Sequence, residues 1–400
     1  DRAHGEDDVL QRVLELGQLM AGPFAGTLLA YFGADVIKIE PPGKGDAVRG
    51  WRAVEGDTSL WWYSLGRNKR SVAVNLKSEE GRDLVRRLAS EVDVLIENFR
   101  PGTMEKWGLG PDDLRPSNPS LVYARVSGYG QDGPYSTRPG YASVCEGVGG
   151  LRYVNGFPGQ PPVRQNLSLG DSLTGLHTAF GILLSLFRRN NSDDSRGQIV
   201  DVGIFESVYN MMEAVVPEYD RLGMVRGPSG TTITGVVPTN TYPCRDDKYI
   251  IIGGNGDSIF KRLMNTAGRP DMAVDPELED NAGRLRHQDR VDGAIADWTR
   301  TLTADEVLAT LEEARVPAGL IYSVEDMVED PHFQARGLFE EVEAGGKPLK
   351  LPAIIPKLSE TPGRTEWAGP AVGEHTGEVL GQILGLSDDE IRSLSEKGII

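Results

Sequence analysis

The first 130 residues alternate strand patterns with helical patterns, and this alternation restricts the fold more than any other feature of the sequence. The strand candidates are rich in β-branched residues: Arg12–Leu16, Ala34–Glu40, Ser71–Asn75, Val92–Ile96 and Leu121–Val126. A helical run, Phe24–Phe32, separates the first two, and Ser78 is a typical N-cap for the helix after the third. Strand–helix–strand units of this kind form mostly parallel sheets covered by helices. The sequence therefore predicts an α/β architecture for this half of the chain.

A second domain is expected because 400 residues are long for one hydrophobic core. The composition changes near Arg221, where a loop rich in Gly, Ser and Thr begins. A hairpin pattern follows, with strands at Thr241–Cys244 and Tyr249–Ile252, and then a series of helical patterns. We therefore interpret residues 221–325 as a smaller α+β domain.

Charge and composition exclude several classes of function. The net charge of −17 disfavours a nucleic-acid-binding protein, because a groove for DNA or RNA is basic. No run of eighteen apolar residues is present, so no transmembrane span and no membrane partner are predicted. The two cysteines, Cys145 and Cys244, lie far apart and suit a reducing compartment, for which we expect the cytoplasm. The five histidines are scattered, so no metal site is predicted.

Asp171 is the residue that could carry chemistry, and its position alone leaves two interpretations open. It lies in Gly170-Asp171-Ser172, where a loop meets a long apolar helix predicted from Asp171 to about Arg189. The ordinary interpretation is an N-cap, which an aspartate fills well. The alternative is a nucleophile, because the helix dipole keeps a carboxylate at this place ionised.

Several segments read together resemble the family III CoA-transferases, which include the formyl-CoA:oxalate and carnitine CoA-transferases. The resemblance is carried by Val13–Trp51, Asn68–Leu76, Leu95–Gly108, Gly170–Gly175 and Val316–Phe339, and by the closing segments Gly373–Leu380 and Leu386–Ile391. It implies a Rossmann-like large domain, residues 1–220 plus 326–400, with the smaller domain at 221–325. It also implies an interlocked dimer, formed with a second copy or with a homologous subunit.

The resemblance implies that Asp171 attacks the thioester carbonyl of an acyl-CoA and forms an aspartyl anhydride. An aspartyl-CoA thioester then forms, and the acceptor carboxylate finally takes the CoA. Coenzyme A is thus a substrate, and no permanently bound cofactor is expected. By motif position the CoA-binding residues are Met20, Ala21, Val74, Asn75, Leu76, Lys77, Asn98, Phe99, Arg100, Lys106, Arg138 and Tyr141. Lys106 and Arg138 are the best candidates to neutralise phosphates, and Lys69 and Arg70 could serve likewise or be structural.

Departures from the family pattern restrict the range of substrates that we expect for this protein. The oxalate-specific members carry a glutamine where Met20 stands and an acidic residue where Ala142 stands, so oxalate is not expected as the acceptor. The opening motif and the segment Val236–Leu263 resemble the branch that moves CoA between C4–C5 dicarboxylates. Succinyl-CoA is therefore the expected donor, and malate, itaconate or citramalate the expected acceptor.

Two alternatives remain, an α-methylacyl-CoA racemase-like isomerase and one subunit of a heteromeric CoA-transferase. A racemase needs a histidine besides the aspartate, and Tyr141 stands at that position. Tyrosine, with an ordinary pKa near ~10, is a poor base at neutral pH. The loop Gly227–Gly235 resembles the glycine-rich loop that covers the family's active site, but it holds Thr231, Thr232 and Ile233. Its role as a lid stays open.

Overall fold

The computed structural model describes residues 11–400 and contains both parallel and antiparallel sheets. Its strands are β1 Arg12–Glu15, β2 Asp35–Glu40, β3 Val54–Glu55, β4 Thr58–Ser59, β5 Lys69–Ala73, β6 Val94–Glu97, β7 Val122–Ser127, β8 Ile199–Gly203, β9 Thr239–Pro243, β10 Tyr249–Gly253, β11 Ala318–Leu320, β12 Phe339–Ala344 and β13 Lys347–Pro352.

The α-helices are α1 Ala21–Tyr31, α2 Leu60–Leu65, α3 Glu79–Ala89, α4 Thr103–Lys106, α5 Pro111–Leu114, α6 Ala142–Val148, α7 Leu151–Val154, α8 Leu169–Asn190, α9 Ile204–Tyr209, α10 Val215–Leu222, α11 Asp257–Thr266, α12 Pro270–Ala273, α13 Asn281–Arg286, α14 Gln288–Thr299, α15 Ala304–Glu313, α16 Val324–Glu329, α17 Pro331–Ala335, α18 Thr376–Leu384 and α19 Asp388–Glu396. Within residues 11–400, no helix is long and apolar enough to cross a bilayer.

A six-stranded sheet has the order β5-β2-β1-β6-β7-β8, and all of its neighbouring strands are parallel. The α/β architecture predicted from the sequence is therefore confirmed. From β1 the chain continues to β2 on one side, and later to β6 on the other side. In open parallel sheets such a reversal leaves a crevice at the carboxyl ends of the strands, where ligands bind.

The chain divides into two compact units, and the six-stranded sheet belongs to the first. This unit consists of residues 11–151, 165–213 and 334–400. The second unit consists of residues 152–164 and 214–333, and it contains the antiparallel sheet β11-β10-β9. The domain boundaries expected from the sequence stay a prediction, and residues 1–10 of the expected large domain lie outside the described residues.

Both faces of the sheet are buried over strands β5, β2, β1, β6 and β7, because successive side chains of a strand point to opposite faces and both sets are covered. In β1, Val13 packs with residues of α1 and α8, whereas Leu14 packs with residues of α3 and α18. Each such side chain contributes about 1.5–3 kcal/mol when it is fully buried. The sheet is thus a rigid support for the loops at its carboxyl edge.

Two local predictions are wrong. The sequence pattern indicates one helix over Ile204–Val216, but the structure has α9 and α10 with a turn between them, where Glu213 adopts a left-handed φ of 48°. The strand-to-helix sequence at Gly253–Asp257 also indicates Asp257 as the helix cap, but Gly256 is the N-cap of α11 and Asp257 is its first residue. In both places the helix boundary is set by the local backbone conformation, which the spacing of hydrophobic residues does not predict.

Candidate active site

A cavity of about 260 Å³ opens at the carboxyl ends of β1, β6 and β7, in the crevice where the strand order reverses. The ends of these strands and the loops after them form part of its wall, and the rest comes from residues 136–141 and from the first turns of α8 and α9. The lining residues are Gln18, Leu19, Met20, Ala21, Asn98, Phe99, Arg100, Pro101, Val126, Ser127, Gly128, Ser136, Arg138, Pro139, Gly140, Tyr141, Asp171 and Ile204. All of them belong to the first unit.

The loop after β1 is held by side chains on two sides. Asn98 accepts a hydrogen bond from the Gln18 N–H at 2.8 Å and donates to the Gln18 carbonyl at 2.7 Å. Asp46 accepts from the N–H of Leu19. Leu19 has a φ of 66°, which is uncommon for a branched residue and costs on the order of 1 kcal/mol. These hydrogen bonds hold the strained turn from which α1 begins.

A cluster of four fully buried charges lies beneath this loop. Lys38 contacts Glu15 at 3.0 Å and Asp46 at 2.8 Å, and Lys69 contacts Glu15 at 2.8 Å. Lys38 also donates to the carbonyl of Gly17, so the cluster is bonded directly to the loop. The two positive and two negative charges balance, which is the condition under which buried ions are tolerated.

The pKa values of the cluster differ because each group has different neighbours. Burial lowers the pKa of Lys69 to about 8, since Glu15 offsets the desolvation only in part and Lys38 repels it. Burial also acts to lower the pKa of Lys38, but Asp46, Glu15 and Glu40 outweigh it, so its pKa is raised. For Asp46, burial acts to raise the pKa, and the Lys38 ammonium and the N–H groups of Val48 and Leu19 lower it below its ordinary value.

The loop after β6 has its own anchor. The N–H of Phe99 donates to Glu97 at 2.8 Å, and Arg125 of β7 donates to the same carboxylate at 2.9 Å. Arg125 also contacts Glu105 at 2.7 Å. The neighbouring strands β6 and β7 are thereby tied together directly below the cavity.

Asp171 lies in the first turn of α8 and lines the cavity. The N-cap is Ser168, and Asp171 is the third helical residue, so the interpretation of Asp171 as an N-cap is wrong. The helix begins at Leu169, two residues before the predicted start. Gly170 lies against Glu146, whose carboxylate accepts from its N–H at 3.2 Å.

Gly175 fixes the position of this turn against α1. A Cβ atom at Gly175 would lie 2.8 Å from Phe24 Cδ1 and 3.0 Å from the carbonyl oxygen of Ala21. Only a residue without a side chain permits so close an approach between α8 and the first turn of α1. Asp171 is therefore held beside Met20 and Ala21, which line the same cavity.

Cys145 lies on α6 close to this carboxylate. Burial raises the pKa of its thiol to about 11, and the negative charge of Asp171 adds to the effect. The thiol donates to the carbonyl of Gly128 at 3.3 Å. At neutral pH it is therefore a protonated, packed side chain and not a nucleophile.

Seven of the residues predicted to bind CoA line the cavity with Asp171: Met20, Ala21, Asn98, Phe99, Arg100, Arg138 and Tyr141. Arg100 and Arg138 are exposed, and neither forms an ion pair with another residue of the range 11–400. Arg138 lies over the ring of Tyr135, with its guanidinium carbon 3.6 Å from the ring centre. Both can therefore meet an anionic ligand.

The other predicted residues, Val74, Asn75, Leu76, Lys77 and Lys106, lie outside the lining of the cavity. Val74 is buried in the core, Leu76 packs against that core, and the Asn75 N–H donates to the carbonyl of Ile399 at 2.8 Å. Lys77 and Lys106 are exposed. Contact of these five residues with CoA stays a prediction.

For Lys69 and Arg70 the structure favours the structural alternative, because each contacts a carboxylate of the protein. Lys69 is 0% exposed and bonded to Glu15. Arg70 points to the opposite side of β5, where it contacts Asp35 at 2.5 Å. Adjacent strand residues face opposite ways, so two neighbouring cations have separate partners here.

Ser127 is a cavity residue that the sequence motifs do not indicate. Its side chain is buried at the carboxyl end of β7, and its hydroxyl finds no hydrogen-bond partner among the described residues. A buried polar group without a partner costs free energy unless a ligand or water satisfies it. The sequence feature that could have identified Ser127 is the occurrence of a polar residue at the carboxyl end of a buried strand.

The described residues contain no group of three or more His, Cys, Asp or Glu side chains that could hold a metal ion. The histidine nearest to Asp171 in sequence, His177, contacts Asn210 at 3.2 Å, and no histidine is among the residues that line the cavity. Within residues 11–400 the lining of the cavity thus offers a carboxylate, three hydroxyl groups and two arginines for chemistry on an anionic ligand.

Comparisons with known proteins agree with this chemistry. The family model of CoA-transferase family III matches residues 11–376. The succinyl-CoA–D-citramalate CoA-transferase of Chloroflexus aurantiacus is 46% identical over 397 residues, which cover 98% of each chain. The beta subunit of the succinyl-CoA–L-malate CoA-transferase of the same organism is 42% identical over 395 residues, covering 97% of each chain.

A solved structure supports the same assignment. The crystal structure of a CAIB/BAIF family protein from Brucella suis superposes with a TM-score of 0.82 at 31% identity, and the match covers 94% of this chain and 98% of that one. The resemblance found in the sequence motifs and the prediction of a CoA-transferase are both confirmed. The chain belongs to CoA-transferase family III.

Proposed function

We propose that this protein transfers CoA from succinyl-CoA to a C4–C5 dicarboxylate such as citramalate or malate, with Asp171 as the nucleophile. The observation that carries the proposal is the position of the Asp171 carboxylate in the cavity at the strand-order reversal, beside Arg100 and Arg138. The identity of 42–46% with transferases named for succinyl-CoA with citramalate and with malate supports the choice of substrates.

The reaction is written as four exchanges at carbonyl carbon. A carboxylate oxygen of Asp171 attacks the thioester carbon of succinyl-CoA, the C–S bond breaks, and the CoA thiolate leaves with the electron pair. The thiolate then attacks the aspartyl carbonyl of the mixed anhydride, which releases succinate and leaves an aspartyl-CoA thioester.

The acceptor carboxylate next attacks this enzyme thioester, and CoA again leaves as a thiolate. The thiolate finally attacks the acceptor carbonyl of the new anhydride, which forms the new acyl-CoA and restores the Asp171 carboxylate. No net proton is consumed, so no general base is required. Both covalent intermediates hydrolyse readily, so the cavity has to exclude water during transfer.

We propose that the pantetheine arm occupies the cavity and that Arg100 and Arg138 meet CoA phosphates, as exposed guanidinium groups suited to phosphate geometry. The Ser127 hydroxyl is a hydrogen-bond donor for the substrate in this proposal. Asn75, Lys77 and Lys106 remain candidates for the nucleotide end of CoA. A reducing compartment such as the cytoplasm suits the free thiols of Cys145 and Cys244.

A second chain is part of the proposal. One face of α8 exposes Leu176, Phe180, Leu183, Leu184 and Phe187, each 50–70% accessible. So continuous an apolar stripe is typical of an interface. We propose that a second copy, or a homologous subunit, covers it. Analytical ultracentrifugation of the purified chain should give a dimer, and Phe187→Glu with Leu183→Glu should weaken it. A monomer without the substitutions would contradict the homodimer.

The test of the reaction uses succinyl-CoA with a panel of dicarboxylic acids, and chromatography of the CoA thioesters. We expect a new acyl-CoA and release of succinate with at least one C4–C5 acceptor. Hydroxylamine added during turnover should convert Asp171 to its hydroxamate, which peptide mass spectrometry locates. Asp171→Ala should abolish transfer, whereas Asp112→Ala, at an exposed carboxylate of α5, should retain it.

The racemase alternative predicts a different result with the same protein. Exchange of deuterium into the α-position of a 2-methylacyl-CoA without any acceptor acid would favour it over transfer. The absence of a histidine from the described lining of the cavity argues against that outcome.

A further inference from the structure

Arg52 is an exposed cation that the structure holds in a strained and specific position. Its φ is 61°, which directs the side chain differently from an extended residue. The guanidinium carbon lies 4.2 Å from the centre of the Trp61 ring. The preceding residue, Trp51, is fixed because its carbonyl accepts the Ser59 hydroxyl at 2.6 Å. Such outliers persist where the surrounding structure determines them, and they cluster at functional sites.

Two separate contacts place this guanidinium near the start of the helix that carries the proposed nucleophile. It donates to the hydroxyl of Ser168 at 3.3 Å, and Ser168 is the N-cap of the helix whose third residue is Asp171. The guanidinium therefore contacts a residue that lies three positions before Asp171 in the chain, at the N-terminus of the same helix. On the other side, Trp61 packs against the cluster that contains Met20, which lines the cavity with Asp171.

The charge of Arg52 is not neutralised by any carboxylate of residues 11–400. Other arginines of this region are paired, since Arg49 contacts Glu40 at 2.7 Å and Arg70 contacts Asp35. Arg52 instead contacts an aromatic ring and one neutral hydroxyl. Stacking on a ring leaves the edge of a guanidinium, with its planar set of donors, available to a carboxylate. The protein has a net charge of −17, so an arginine without a carboxylate partner is unusual, and at this place it is suited to bind an anionic ligand.

We propose that Arg52 binds the distal carboxylate of the dicarboxylyl group while its other carboxyl carbon reacts at Asp171, and thereby selects dicarboxylates over monocarboxylates. This inference rests on the proposed function and adds the residue that determines its substrate class. The second carboxylate of a C4–C5 substrate lies only a few bonds beyond the reacting one, which suits a cation near the N-cap of the helix that carries the nucleophile. Arg52 would bind the distal carboxylate of both the donor and the acceptor, because each acyl group in turn forms the anhydride with Asp171.

The experiment compares succinyl-CoA with butyryl-CoA, which has the same carbon chain and lacks the distal carboxylate. For the wild-type protein, Arg52→Gln and Arg52→Lys, kcat/KM is measured with each thioester and a fixed acceptor. A charge-assisted contact predicts that Arg52→Gln lowers kcat/KM for succinyl-CoA by about 10- to 100-fold and leaves that for butyryl-CoA nearly unchanged. Arg52→Lys should recover part of the loss. Arg392→Gln, an exposed arginine on α19, serves as the control for the change in net charge.

Three results would overturn the inference. If the ratio of kcat/KM for succinyl-CoA to kcat/KM for butyryl-CoA were the same in Arg52→Gln as in the wild type, Arg52 would not bind the distal carboxylate. An equal loss with both thioesters, with a lowered melting temperature, would show a structural role. Transfer from neither thioester by the wild-type protein, in the presence of the full acceptor panel, would refute the proposed function together with this inference, so the two failures are distinguishable.

Discussion

The backbone N–H of Leu19 donates to both carboxylate oxygens of Asp46, at 3.0 and 3.1 Å, and this bond joins the buried charge cluster to the wall of the cavity. Asp46→Ala should therefore affect stability and activity together. It removes a partner of buried Lys38, so the free energy of unfolding should fall by about 3–5 kcal/mol. Urea unfolding measures this change.

Because the strained turn at Leu19 also loses its acceptor, transfer by the folded fraction of Asp46→Ala should fall by roughly tenfold or more. Asp35→Ala is the matched control, since Asp35 pairs with Arg12 and Arg70 in a half-buried place outside the cavity. It should cost about 1 kcal/mol and leave kcat/KM unchanged. Equal losses of activity in the two variants would contradict a specific role of Asp46.

Stability should decline in acid through Asp46 and Glu40. Burial acts to raise the pKa of Glu40, but Arg49, Lys38 and Ser71 outweigh it and lower the value, as Lys38 does for Asp46. The unfolded chain then takes up protons first as the pH falls. The contribution of these carboxylates is complete above their ordinary pKa values, near ~4, and is lost as the pH falls through their lower folded values.

Urea unfolding at a series of pH values from neutral to ~3 measures this loss. Asp46→Asn should be less stable than the wild type at neutral pH, and its stability should depend less on pH in the acid range. A parallel decline of both proteins would show that Asp46 is not responsible.

Gly175→Ala should show that close packing outweighs helix propensity at this position of α8. Alanine favours a helix over glycine by about 1 kcal/mol, but here its Cβ would meet Phe24 and the Ala21 carbonyl. We expect α8 to shift from α1, with a loss of stability of about 1–3 kcal/mol and a clear loss of kcat. Gly293→Ala in α14 has open space, so it should keep full activity and be neutral or slightly more stable. Equal behaviour of the two variants, by melting temperature and turnover, would refute the close-packing argument.

Ser127→Ala should weaken substrate binding without destabilising the fold. Its hydroxyl has no partner within residues 11–400, so its removal leaves no protein group unsatisfied, and the melting temperature should be unchanged. If the hydroxyl donates to the substrate, KM should rise by roughly tenfold. Ser71→Ala provides the contrast, because Ser71 donates to Glu40 at 2.6 Å and accepts from Gly373. It should lower stability by about 1–3 kcal/mol and leave KM unchanged.

The sequence predicted the parallel strands well, because β-branched runs between helical patterns leave few alternatives. Ser78 caps α3 as predicted, and Thr303 forms a capping box with Glu306, which the Thr-x-x-Glu spacing indicates. These features depend on neighbouring residues. The motif resemblance identified the family and seven cavity residues besides Asp171.

What the sequence did not reveal depends on contacts between distant residues. Lys69 and Arg70 look equivalent in sequence, and only the pairing of β5 with β2 sends one to Glu15 and the other to Asp35. The start of α8 was misplaced because Asp171 and Ser168 are both good capping residues, and local propensity does not choose between them. The left-handed turns at Leu19 and Arg52 carry no glycine to mark them.

The balance of charge beneath the cavity has a consequence for how this protein can change over generations. Replacing any single charged member of the group Glu15, Lys38, Asp46 and Lys69 by a neutral residue leaves the group with an unbalanced buried charge, so changes that keep stability there have to come in compensating pairs. Single-step adaptation to a new acid is therefore open mainly at exposed positions such as Arg52, whose replacement does not unbalance the buried charges.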